Sequence, residues 1–272
     1  MTVLLYPAFP SSGNPAVPLL RRHTLHLVDG VPPVPDLDVV IPAYNEEQRI
    51  GPTLTGLART LADAGVSARI LVVDNGSVDG TVEMVSRARS EVLPIHVVNC
   101  RHRGKGAAVR AGVALATAPY VAYLDADEST PHAALLTALD LLHRGWDAVI
   151  GSRRALGGRY VVPQPAVRRV GSRAFHLAAS GIVSRVSDTQ CGMKAFRTAA
   201  VQPIFAATTT TGFAFDVEVL ARAQASGLRL MELPVEWSDA GGSTFSPLRH
   251  GLAAFRDLAE VRRATRTLTR QS

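Results

Sequence analysis

Two aspartates one residue apart, Asp125-Ala126-Asp127, close an apolar run and are the residues most suited to chemistry in this chain. Residues i and i+2 of a strand face the same way, so the two carboxylates are expected to converge on one cation. Hard oxygen ligands suit Mg²⁺ or Mn²⁺, which bridge carboxylates to a substrate's phosphates. Such an ion would neutralise a departing nucleoside diphosphate. A helix N-cap or turn is the other reading, because aspartate is common ahead of helices. Asp74 ends a second apolar run and opens Asn-Gly-Ser-Val-Asp-Gly-Thr. Its carboxylate could accept from the imide N–H of a uracil or the amino group of a guanine. A turn and a helix cap are the alternative, and for Asp79 and Gly80 the better one.

Gly104-Lys105-Gly106 follows Arg101, His102 and Arg103 and precedes a helical run. Small residues, backbone donors and cations at a helix start favour an anion. A Walker A loop is excluded by spacing, and no GxGxxG follows the first strand, which argues against a dinucleotide oxidoreductase. Arg153 and Arg154 follow Gly151-Ser152, and Arg168 and Ser172 stand four apart on one helix face. A guanidinium fork and a hydroxyl there could hold an acceptor phosphate, the alternative being a solvated charged face.

These residues sit at the ends of short β-branched runs: residues 37–42, 69–74, 94–99, 120–125 and 147–152. Between the first two, Ile50, Leu54, Leu57, Ala58 and Leu61 recur at helical spacing. Strands apolar on both faces alternating with amphipathic helices predict an α/β fold with a mainly parallel sheet and helices on both sides. Ligands of such sheets bind beyond the carboxyl ends of the strands, where the residues named above fall. The second half predicts a helix near 167–185, a helix-like segment at 212–223 and a strand over 228–237. Three segments result: a proline-rich irregular extension (1–35), the α/β domain (36–246) and a basic C-terminal helix (247–272).

Hydrophobic residues form 47% of the 272 and charged residues 19%, a globular composition. A net charge of +6 points to an anionic partner. Nucleic acid is disfavoured, since 6% aromatic content scarcely supplies a stacking platform. Cys100 and Cys191 lack ligand or disulfide-framework spacing and fit a reducing compartment. No charged start precedes an apolar stretch and no run reaches about 18 apolar residues, so neither a leader nor a spanning helix is expected. The expected location is cytoplasmic, with peripheral contact to the membrane face through residues 247–270, where Leu248, Leu252, Phe255, Leu258 and Val261 recur among arginines. Packing of this helix on its own domain is the alternative.

Taken in order, AYNEE, VVDNGSVDGT, RGKGAAVRAG, YLDADEST, GSR and DTQCGMKAF resemble glycosyltransferase family two over residues 37 to about 245. FAFDVE after DTQCG, and the later VEW with GS, resemble the dolichyl-phosphate glucosyltransferase branch most. The resemblance implies a GT-A fold: a Rossmann-like, mainly parallel sheet with a smaller acceptor-side region. It implies that Pro42, Ala43, Tyr44, Glu46, Asp74, Lys105 and Ala126 serve the donor nucleotide, and that Asp125 and Asp127 hold the metal. Arg153, Arg168 and Ser172 would meet an acceptor phosphate, with Asp188, Gln190 and Lys194 bordering the sugar or acceptor loop. Asp127, Arg153 and Asp188 are the catalytic candidates, Asp188 as base should the acceptor be an alcohol. The implied reaction is inverting transfer of a hexose from a UDP- or GDP-sugar, UDP-glucose favoured, to a polyprenyl or dolichyl phosphate. Alternatives are a soluble glycosyltransferase of a small metabolite or antibiotic, a nucleotidyltransferase and a non-catalytic basic binder. The chain departs from the pattern at Asn75, where a second acid is usual, and at Glu128-Ser129-Thr130, which puts a third metal ligand in doubt and turns the reading from mannose.

Overall fold

The computed structural model describes residues 4–5, 34–88, 93–160, 166–238 and 247–266. Five strands form where the β-branched runs predict them: β2 (Leu37–Ala43), β3 (Ala68–Asp74), β4 (Ile95–Asn99), β5 (Tyr120–Tyr123) and β6 (Ala148–Ser152). With β1 (Leu4–Leu5), β8 (Lys194–Arg197) and β9 (Leu230–Pro234) they make one sheet of order β1-β9-β6-β8-β5-β2-β3-β4. Every ladder is parallel except those of β8, which runs antiparallel between β5 and β6. β7 (Arg159–Tyr160) and β10 (Glu236–Trp237) pair in a separate small sheet.

Alternate residues of each strand point to opposite faces, and both faces here are apolar. Val39, Ile41, Ile70 and Val72 face one cluster with α1 (Ile50–Asp63), α2 (Thr81–Arg87) and α4 (Ala133–His143). Val40, Leu71 and Val73 face the other with α3 (Lys105–Ala114), α6 (Thr198–Ala207) and α7 (Phe215–Ala225). In α1 the buried positions Ile50, Thr53, Leu54, Leu57 and Leu61 follow the 3.6-residue period. Each fully buried aliphatic side chain contributes about 1.5–3 kcal/mol. α5 (Ala166–Ser180) and α8 (Pro247–Arg266) pack on each other, Phe175 and Phe255 meeting edge to face with centroids 6.1 Å apart. α8 buries Ala254, Leu258 and Val261 and leaves Phe255, Arg262 and Arg263 exposed. Among the described residues no helix is long and apolar enough to cross a membrane.

Candidate active site

The carboxyl ends of β2 to β5 and the loops after them open into one cavity of about 400 Å³. The first loops clasp each other. Asn45 takes φ +54°, its N–H donates to Ser77 Oγ (3.0 Å) and its Oδ1 accepts from Val78 N–H (3.0 Å). The Glu46 N–H donates to Thr81 Oγ1 at 2.8 Å, and Asp79 Oδ1 accepts from Thr81 N–H at 3.1 Å. Asp79 is therefore a turn and cap residue, as the sequence reading favours.

Asp125, Ala126 and Asp127 all line the cavity, with Pro42, Ala43, Tyr44, Glu46 and Lys105. Strand pleating is not what brings the two aspartates together: β5 ends at Tyr123, and both lie in the turn beyond it. Each carboxylate is held separately. Asp125 Oδ1 meets Lys105 Nζ at 2.6 Å, and Asp127 Oδ1 accepts from Ser129 N–H at 3.0 Å. Burial, the largest single influence, would raise the Asp125 pKa, but Lys105, with Lys194 and Arg153 behind it, turns the net shift downward. Burial alone would lower that of Lys105, yet Asp125, with Asp216 and Asp127, pushes it up to about 12. Glu46 is driven up to about 7 by burial and by Asp127 and Asp125, against the pull of Arg49 2.5 Å away.

Among the described residues no three His, Cys, Asp or Glu side chains group as a metal site. Two carboxylates on one cavity wall, whose negative charge adds to the burial that lifts Glu46, still fit a divalent ion that completes its shell with phosphate oxygens.

Other expected residues stand differently. Asp74 is 7% exposed and is absent from the cavity wall; its two oxygens accept from Gly76 and Ser77 N–H, both at 3.2 Å. Asn75 lines the cavity in its place, and it clasps the next loop through Gly104 N–H and His102 O, both at 2.7 Å. The start of α3 does not offer all its donors to an anion either, since Gly106 N–H donates to Thr211 O at 2.8 Å. Lys105 and exposed Arg103 supply the positive charge there.

Arg153 and Asp188 form a bidentate pair, Nε to Oδ2 at 2.6 Å and Nη2 to Oδ1 at 2.8 Å, and the Asp188 carboxyl is held below its ordinary value. Burial opposes that shift, and the charge and hydrogen bonds of Arg153, with the charge of Lys194, together override it. At 2% exposure, with its pKa lowered, Asp188 is not positioned to act as a base. Lys194 is not an open cation for a substrate phosphate: it is fully buried, with Nζ on Asp216 Oδ1 at 2.6 Å and on Cys191 O at 2.9 Å. The Tyr123 hydroxyl donates to the same Asp216 oxygen. Gln190 lies beside this group, its N–H on Asp188 Oδ1 at 3.2 Å and its Nε2 buried without a partner among the described residues. Arg168 and Ser172 fall on α5, but their side chains lie outside the described residues.

The wall also contains residues that sequence reasoning missed: Arg49, Gly212, Phe213 and, from α8, Ala253, Ala254 and Asp257. Gly212 and Phe213 belong to the 212–223 segment that carries the family resemblance without a role being read for them, while nothing in the local sequence of Arg49, Ala253, Ala254 and Asp257 marks them, since they reach the cavity through packing.

The family model for glycosyl transferase family 2 matches residues 38–205, more than half of the chain. The chain belongs to that family. This glycosyltransferase is 31% identical over 240 residues to a dolichyl-phosphate beta-glucosyltransferase of Drosophila melanogaster, covering 82% of this chain and 73% of that one. It is 32% identical over 228 residues to a dolichyl-phosphate hexose transferase of Haloferax volcanii, covering 83% and 93%. Its fold matches that of glucosyl-3-phosphoglycerate synthase from Mycobacterium tuberculosis in complex with Mn²⁺, uridine-diphosphate-glucose and phosphoglyceric acid, with a TM-score of 0.66 at 18% identity, covering 85% and 79%. The mainly parallel sheet with helices on both faces is thus the GT-A fold that the sequence resemblance implies.

Proposed function

We propose that this glycosyltransferase moves a hexosyl group, with inversion, from a nucleoside diphosphate sugar of the UDP-glucose type to a polyprenyl or dolichyl phosphate. The observation that carries the reading is the shared cavity of Asp125, Asp127 and Lys105, which joins two hard anionic ligands to a fixed cation. The acceptor class follows from the names of the relatives, dolichyl-phosphate glucosyl- and hexose transferases.

Asp125 and Asp127 would hold a Mg²⁺ or Mn²⁺ ion, whose chemistry is neutralisation of the leaving diphosphate. The remaining work falls to the protein. Tyr44, Asn75 and Pro42 wall the nucleoside side. Lys105, protonated across the working range, and Arg103 bring positive charge to the diphosphate. An acceptor phosphate is ionised near neutral pH and needs no strong base, so alignment with the anomeric carbon is the main requirement. The α5 residues Arg168 and Ser172, with Gln190 and its unsatisfied Nε2, are assigned to that phosphate. Arg153 orders the loop carrying Asp188 and Gln190 rather than acting as an isolated cation. The α8 face carrying exposed Phe255, Arg262 and Arg263 suits an anionic bilayer, where such an acceptor resides.

A donor and acceptor panel tests the reading: UDP-glucose and GDP-mannose, with polyprenyl phosphate in anionic vesicles or with small alcohols, in Mn²⁺, Mg²⁺ or chelator. Product is expected from UDP-glucose with the lipid phosphate, abolished by chelator and by Asp127→Ala. Product with alcohols alone would remove the lipid assignment, and full metal-dependent turnover by Asp127→Ala would remove the metal one.

A further inference from the structure

α8 lies outside the segment matched by the family model, residues 38–205, yet it forms part of the cavity wall. Its buried positions, Ala254, Leu258 and Val261, fasten it to the domain, and this sets Asp257 among the cavity-lining residues that include Lys105, Asp125 and Asp127. Space for the carboxylate comes from Gly212: a Cβ there would stand 2.7 Å from Asp257 Oδ2. The loop bearing Gly212 is tied to the start of α3 through Thr211 O, which accepts from Gly106 N–H at 2.8 Å.

Asp257 makes no hydrogen bond or ion pair among the described residues, in contrast to the paired Asp125 and Asp188. Burial, with Glu260 nearby, pushes its carboxyl up, and Arg256 only partly offsets this. A half-buried carboxylate facing a cavity is stabilised by O–H or N–H donors. A diphosphate offers none. The hydroxyls of a sugar nucleotide do, and a vicinal diol can place two of them on one carboxylate.

We propose that Asp257 is a donor-binding residue whose carboxylate accepts hydrogen bonds from a vicinal diol of the bound sugar nucleotide. The inference rests on the donor assignment made above and adds to it the group that reads hydroxyls. The diol belongs either to the ribose or to the hexose, which share this chemistry.

Calorimetric binding of UDP, UDP-glucose, GDP and GDP-mannose in Mn²⁺ to the full chain, alongside thermal melts, tests the assignment. Asp257→Ala is expected to melt with the wild type, because no partner is lost. It should bind the sugar nucleotide about ten- to a hundredfold more weakly, as loss of a charged hydrogen bond requires. An equal loss with the free diphosphate nucleotide assigns the ribose; a loss confined to the nucleotide sugar assigns the hexose. Gly212→Ala, which crowds the carboxylate, should reproduce the defect in weaker form. Wild-type affinity for every probe in a folded Asp257→Ala overturns the inference and leaves the donor reading intact. A wild type that binds none of the four overturns both.

Discussion

Gly192→Ala probes the positioning of Asp125 without touching an ionisable group. A Cβ built on Gly192 would stand 2.1 Å from Asp125 Oδ2, 2.5 Å from its Cγ and 3.1 Å from its Cβ. Ordinary contact begins near 3.4 Å, so the oxygen must retreat by about 1.3 Å. The backbone of Gly192 cannot yield instead, because Cys191 and Met193 are fully buried and Met193 O accepts from Gly151 N–H at 2.9 Å. Asp125 must then move against Lys105, to which it is bound at 2.6 Å. Overpacking of this kind costs about 1–3 kcal/mol of stability. A displacement of about 1 Å in a reacting constellation costs on the order of 100-fold in rate, equivalent to about 2.7 kcal/mol. Initial rates of hexosyl transfer over a Mn²⁺ series, with urea denaturation in parallel, measure both effects. The expected result is a fall of about 100-fold in kcat/KM with a folded protein and a higher Mn²⁺ requirement. Retention of kcat/KM within about threefold would refute the placement of Asp125 as a metal-bearing group held by Gly192.

Three further variants test the buried charge network behind the site. Removing the Lys194 ammonium by Lys194→Met leaves Asp216 uncompensated in the core and should cost about 3–5 kcal/mol in urea denaturation; adding Asp216→Asn should restore most of it. For Asp188 the folded pKa is depressed, so its contribution to stability is present above the unfolded value of 3.8 and is lost as pH falls through the lower folded value. The stability gap between wild type and Asp188→Asn should therefore be full at pH 7 and shrink below about pH 4, as denaturation midpoints across pH 2–7 would record.

Much of the site was legible in the chain before folding, for a local reason. Residues that follow a strand end are carried to one edge of a parallel sheet whatever the details of packing, so Tyr44, Glu46, Lys105, Asp125 and Asp127 could be placed in one cavity from strand spacing and family resemblance. Roles that depend on which side chain meets which were not legible. Lys194 and Arg153 read as open cations, yet each is matched with a carboxylate from elsewhere in the chain. The strand β8 was hidden because it is only four residues long, Lys194–Arg197, and opens on a lysine whose ammonium is buried through a pairing with Asp216, far away in the chain.

By itself, then, the sequence determined the alternation of strands and helices, the burial of both sheet faces and the edge at which acidic and basic residues collect. These follow from hydrophobic period and chain direction, which are local properties. Tertiary structure decided that Asn75 rather than Asp74 faces the cavity, that Asp188 and Lys194 are partners in buried ion pairs, and that α8 delivers Asp257 to the wall. Those outcomes depend on contacts between residues far apart in the chain, where burial makes an unpaired charge costly and so dictates which groups must pair.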